Sequence, residues 1–221
     1  MKITKYNQSC LLIEAKEKRI LIDPGNTEYT DDMLTDYWTN IDAILITHRH
    51  GDHCYTEIIN KIIERDNCSL YTSNEVANSE NLINPTVVKA GDKLNIGDVL
   101  VEVTKSVHGF ISLMKPKSEI KENIGFIIDD GNIRLFTPGD TINFNHEYKC
   151  DVLCVPFTGA GITLGFIDGI DFIKGINPKL VIPIHLQHKL YNPDLDELKK
   201  ALTEANIEYK LLDASETIII N

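Results

Sequence analysis

The chain has 221 residues, of which 43% are hydrophobic and 25% charged, a balance that excludes disordered, collagen-like and disulfide-stapled proteins. Lys and Arg number 22 against 33 Asp and Glu, a net charge of −11 that repels phosphate backbones at long range and disfavours a nucleic-acid partner. The start, Met1-Lys2-Ile3-Thr4-Lys5-Tyr6, has no apolar signal core, no stretch approaches a membrane span, and the five cysteines show no Cys-x-x-Cys spacing, so a cytoplasmic protein with small buried thiols is expected.

Residues 2–6 alternate as a short strand, and residues 10–14 and 19–22 flank the charged turn Ala15-Lys16-Glu17-Lys18 as a hairpin. Asp23-Pro24-Gly25-Asn26 is a turn signal, and residues 27–40 are polar and read as a loop with at most one helical turn. Residues 41–47 form a nearly continuous apolar run, as expected of a strand buried on both faces. Residues 55–65 carry Ile58, Ile59, Ile62 and Ile63 at helical spacing. Residues 69–72 are a further strand, and Ser73 caps a short helix to about Asn78.

The middle is rich in strands, at 86–89, 99–107, 123–129 and 132–137, with Asp130-Gly131 turning the last pair. Between them the polar, lysine-bearing residues 110–122 read as a flap in which Lys115 and Lys117 could attract an anion. Strands at 151–156 and 179–184 alternate with a helix at 167–176, and Asn192-Pro193-Asp194 opens a helix to about Ala205. Residues 209–212 and 217–220 read as closing strands. Two sheets with helices outside them fit this order: one α+β domain over residues 1–221, folded as a four-layer αββα sandwich.

Three of the seven histidines fall within six residues, in His48-Arg49-His50-Gly51-Asp52-His53, directly after the buried strand. Residues two apart in extended chain point the same way, so His48 and His50 can face one metal. The turn at Gly51 redirects Asp52 and His53 toward a second metal roughly 3.5–4 Å away. His108, Asp140 and His185 each follow a strand in the same manner. Together these are seven nitrogen and oxygen ligands at four strand ends, a set suited to zinc, with manganese or iron as alternatives.

The Thr47-His48-Arg49-His50-Gly51-Asp52-His53 signature, with the later His, Asp and His in order, resembles the metallo-β-lactamase superfamily. Cys10-Leu11-Leu12-Ile13-Glu14 and Ile20-Leu21-Ile22-Asp23-Pro24 are similar to its opening hairpin, so the resemblance covers nearly the whole chain. Thr137-Pro138-Gly139-Asp140-Thr141 and Ile182-Pro183-Ile184-His185 look closest to a compact group of metal-dependent hydrolases similar to L-ascorbate-6-phosphate lactonases. The resemblance implies one ion held by His48, His50 and His108, a second held by Asp52, His53 and His185, and Asp140 bridging them.

It also implies a hydrolase in which two divalent ions activate a hydroxide for attack on a small ester, lactone or phosphorylated metabolite, with Asp52 both ligand and proton acceptor. Two other readings stay open, a phosphodiesterase acting on nucleotides or short RNA and a non-catalytic metal-binding module. Thr47 and Asp23 are expected to orient the imidazoles. The loop Phe157-Thr158-Gly159-Ala160-Gly161-Ile162-Thr163 is a candidate anion contact, and His188 a candidate substrate contact. The expected partner is a small molecule, anionic ones included; no membrane partner is expected, and a homo-oligomer is left open.

Overall fold

The structure is a computed structural model that describes residues 1–110, 119–144, 147–158, 161–187 and 193–221. Among the described residues thirteen strands form two sheets that face each other, with four α-helices packed on them. The first sheet runs in the order β13 (Glu216–Ile219), β1 (Lys2–Lys5), β2 (Leu11–Ala15), β3 (Lys18–Ile22), β4 (Ala43–Ile46), β5 (Ser69–Thr72), β6 (Thr86–Val87). The second runs β12 (Leu180–Ile184), β11 (Val152–Pro156), β10 (Arg134–Thr137), β9 (Asn123–Asp129), β8 (Val99–Ser106), β7 (Lys93–Ile96). Both are mixed, parallel across β3-β4-β5-β6 and β10-β11-β12 and antiparallel elsewhere.

Strand alternation sorts the apolar side chains into layers. Leu11, Ile13, Ala43 and Leu45 meet Val101, Val103, Phe126, Ile128 and Cys154 between the sheets. The opposite faces bury Leu12, Leu21, Ile44 and Ile46 against Ile58, Ile59, Ile62 and Ile63 of α1 (Thr56–Asp66), with Val76 of α2 (Asn74–Ser79). On the far side Ile127, Phe136, Leu153 and Val155 pack on Phe172 and Ile173 of α3 (Phe166–Ile176) and on Leu198 and Leu202 of α4 (Leu195–Glu204). The result is the αββα order; each fully buried isoleucine of α1 contributes about 1.5–3 kcal/mol of transfer free energy.

Local chemistry explains the connections. Lys16 and Glu17 have φ of 49° and 58°, the double left-handed pair of a two-residue hairpin turn. Asp194 caps α4 by accepting from the Asp196 and Glu197 amides at 2.9 and 3.1 Å, so Asn192-Pro193-Asp194 opens that helix, which begins at Leu195. Asn67 and Asn177 close α1 and α3 in the left-handed region.

Three local expectations need correction. β7 was not anticipated, because Lys93 and Asn95 are exposed edge positions that dilute its apolar signal. Residues 209–212 make only a bridge from Tyr209 to Val181. The helical turn expected in residues 27–40 is present as a π turn, Met33–Tyr37, that carries Trp38 into the core beside Tyr6 and Tyr29. β10 starts at Arg134, because Asp130 Oδ1 accepts from the Asn132 and Ile133 amides and holds them in the turn. Among the described residues no helix is long and apolar enough to cross a membrane.

Candidate metal centre

All seven predicted ligands gather at one end of the sandwich, at the carboxyl ends of β4, β8, β10 and β12. Among the described residues three groups bring their donor atoms within 4.8 Å of one another: His48, His50 and His108; His48, His53 and Asp140; and Asp52, His53 and His185. His48 Nε2 lies 3.2 Å from His50 Nδ1, and the His48 and His108 ring centroids are 4.8 Å apart. Asp140 stands between the outer groups. Its Oδ2 is 3.0 Å from His185 Nε2 and 3.8 Å from His108 Nε2, and its Oδ1 is 3.4 Å from His53 Nε2.

The imidazoles are held from behind. Asp23, buried and with φ of 48°, accepts from the Thr47 amide at 2.8 Å, the Thr47 hydroxyl at 2.7 Å and His53 Nδ1 at 2.8 Å. The Thr47 hydroxyl has a single proton, given to Asp23, so toward His48 Nδ1 at 3.0 Å it can only accept. The network therefore assigns the proton to Nδ1 of His48 and leaves its Nε2 lone pair facing the centre. His108 Nδ1 donates to the Gly109 carbonyl at 2.6 Å, with the same consequence. Thr158 Oγ1 lies 2.6 Å from His185 Nδ1.

Thr47 and Asp23 were visible in the sequence as orienting residues; Thr158 and Gln8 were not. Gln8 Nε2 donates to Asp52 Oδ2 at 3.1 Å, yet Asn7-Gln8-Ser9 has the composition of an ordinary turn. Gly109 has a steric reason: a Cβ there would stand 2.0 Å from the Gly161 carbonyl oxygen. Cys54, next to the motif, is a packed thiol whose pKa burial pushes up to about 12. Lys115, Lys117, His146, His188 and the Gly159-Ala160 pair lie outside the described residues.

The electrostatics differ across the centre. Burial, with the neighbouring His53 and His108, holds His48 well below the ordinary histidine range, and burial takes His108 down to about 4. Burial acts the same way on His53 and His185, but Asp140 and Asp52 outweigh it. His53 ends well above its ordinary value and His185 at about 9. Burial raises Asp52 and Asp140, but the facing histidines prevail and keep both below the usual carboxylate range.

The donor set fits metal ions. His53 Nε2, His108 Nε2 and Asp140 Oδ1 are buried with no hydrogen-bond partner among the described residues. Each such atom costs about 1–3 kcal/mol if left unsatisfied. All three belong to the donor groups of the centre, and the Nδ1 atoms of His53 and His108 are already engaged behind them by Asp23 and the Gly109 carbonyl, which is the pattern a ligand set shows.

Residues 2–185 match the family model described as a beta-lactamase superfamily domain. The chain belongs to the metallo-β-lactamase superfamily. A Mycobacterium tuberculosis relative, Protein Rv0786c, is 30% identical over 84% of each chain. A UPF0173 metal-dependent hydrolase of Methanosarcina mazei is 27% identical over 96% of this chain and 94% of that protein. Igni18, a metallo hydrolase of the archaeon Ignicoccus hospitalis, superposes with a TM-score of 0.77 at 19% identity, covering 98% and 97% of the two chains. The protein is thus a metal-dependent hydrolase of this superfamily.

Proposed function

We propose that residues 1–221 act as one hydrolase domain that cleaves a small ester or lactone, using two divalent ions, zinc foremost. His48, His50 and His108 would hold one ion and Asp52, His53 and His185 the other, with Asp140 shared between them. The observation that carries this reading is the sharing: Asp140 reaches His108 on one side and His53 and His185 on the other. Bound there, the ions would generate a nucleophile from water near neutral pH and take up the charge of the developing oxyanion.

The chain's own residues supply the rest. Asp23, Thr47, Gly109 and Thr158 fix the imidazole planes from behind. Asp52 is ionised at neutral pH, so it can accept the proton of the attacking water rather than donate one. Val107, Phe110, Ile142 and Phe144, exposed apolar side chains beside His108 and Asp140, favour a substrate with an apolar group over a phosphorylated metabolite. The Ile142 amide donates to the Val107 carbonyl at 2.9 Å, which joins the two apolar segments. Arg49 is engaged by Glu75 and the Glu119 carbonyl, which weakens the case for a phosphodiester-binding groove. Five unpaired thiols suit a reducing, cytoplasmic setting.

The test is metal analysis of protein purified without added metal, followed by a screen of carboxylic esters, lactones, phosphomonoesters and phosphodiesters with wild type beside His50→Ala. We expect about two ions per chain and hydrolysis of an ester or lactone that His50→Ala abolishes. Less than one ion per chain, or equal turnover by both proteins, would refute the reading; turnover of phosphodiesters alone would replace the substrate class.

A further inference from the structure

Gln8 lies in the tight turn between β1 and β2, with φ of 55° and only 1% of its surface exposed. A reciprocal pair of bonds ties it to the segment after β12, one from each backbone amide to the other's side-chain oxygen, and the first of them orients the Gln8 carboxamide. The Gln187 amide donates to Gln8 Oε1 at 3.0 Å, and the Gln8 amide donates to Gln187 Oε1 at 3.1 Å. The His185 amide adds a bond to the Gln8 carbonyl at 2.9 Å. With Oε1 committed to Gln187, the NH2 end must face the centre. There Nε2 donates to Asp52 Oδ2 at 3.1 Å and lies 3.4 Å from His185 Nε2. An amide nitrogen has no lone pair to offer a cation, so Gln8 is not itself a ligand.

The contact is one-sided. Among the described residues Gln8 touches two members of the Asp52, His53 and His185 group, and its side-chain hydrogen bonds run to Asp52, His185 and Gln187. Asp52 follows the turn at Gly51, and its side chain is 22% exposed, the most open of the three. A carboxylate at such a position must lose rotamer freedom to bind an ion unless something holds it in place beforehand.

We propose that Gln8 is a positioning residue that holds Asp52 in its ion-binding rotamer and thereby sets the affinity of the Asp52, His53 and His185 group alone. This rests on the two-ion reading above. Its test is cobalt(II) titration of metal-stripped full-length protein, following the visible absorption of each bound ion, in wild type, Gln8→Ala and Gln8→Met. Both substitutions keep the two backbone bonds of residue 8, and methionine keeps the length of the side chain while removing the donor.

Loss of an orienting partner behind a ligand typically weakens metal affinity about 10–100-fold. We expect that loss in one of the two binding events, with the other unchanged and with thermal unfolding of the metal-free variants close to wild type. Two unchanged events, or two events weakened in equal proportion, would overturn the role. So would failure of both variants to fold, which would make Gln8 a determinant of the fold instead. Wild type that takes up fewer than two ions would instead remove the two-ion reading itself.

Discussion

The two halves of the centre are built from the same residue type and behave oppositely. His48 and His108 sit among other imidazoles, and burial keeps them neutral. His53 and His185 sit against Asp52 and Asp140, and those carboxylates keep them charged in the metal-free protein. One half therefore presents open lone pairs, and the other compensates itself with internal ion pairs. A cation can enter the first half without displacing anything. To enter the second it must displace protons that already serve as counter-charges. The difference follows from the carboxylates: His53 lies beside His48, with ring centroids 4.1 Å apart, but its Nε2 is 3.4 Å from Asp140 and 3.8 Å from Asp52, and His185 is 3.0 and 3.3 Å from the same two groups.

The largest expected effect comes from removing the residue the halves share. Asp140→Ala should lower turnover by more than about 100-fold, since even partners behind a ligand account for 10–100-fold. It should also weaken both ion-binding events, as measured by isothermal titration. A loss confined to one event would show that Asp140 belongs to one half only. Next comes Asp23→Asn, which keeps the shape but leaves one acceptor atom where three donors converge, from Thr47 twice and from His53. It should cost about 10–100-fold in affinity, chiefly in the half containing His53. Thr47→Val removes the acceptor behind His48 and should weaken the other half, near the lower end of that range, about tenfold. If the two variants affected the same binding event, the division into halves would fail.

How much of this could be read beforehand depended on where the information lay along the chain. β4 was legible because both of its faces are covered, Ala43 and Leu45 by the second sheet and Ile44 and Ile46 by α1, so its apolar run is unbroken. The seven predicted ligands were legible as local patterns, each a His or Asp at a strand end, and the structure brings all seven together. β7 was illegible because a polar edge strand announces itself only through its partner β8. Gln8 and Thr158 were illegible for a related reason. Each is a polar residue in a turn, and its role depends on His185, 177 positions away for one and 27 for the other. Hydrogen bonds of that range leave no periodicity. Asp23 was easier to see, since it ends β3 directly beside β4.

The pH dependence of metal uptake sharpens the comparison without any substitution. In the metal-free protein His185, raised to about 9, is protonated at neutral pH and must be neutral to bind an ion. Below that value, each pH unit of acidification should weaken the second half by about tenfold per displaced proton. Above it the dependence of that residue should vanish, because the proton has already left. The first half runs the other way in its reference state. His108, lowered to about 4, has no proton to lose between pH 6 and 9, so its affinity should be nearly flat there. Zinc titrations at several pH values, with an indicator dye reporting proton release, should show one event that releases protons at pH 7 and one that releases almost none. Equal release in both events would mean that the carboxylates do not set the difference between the halves.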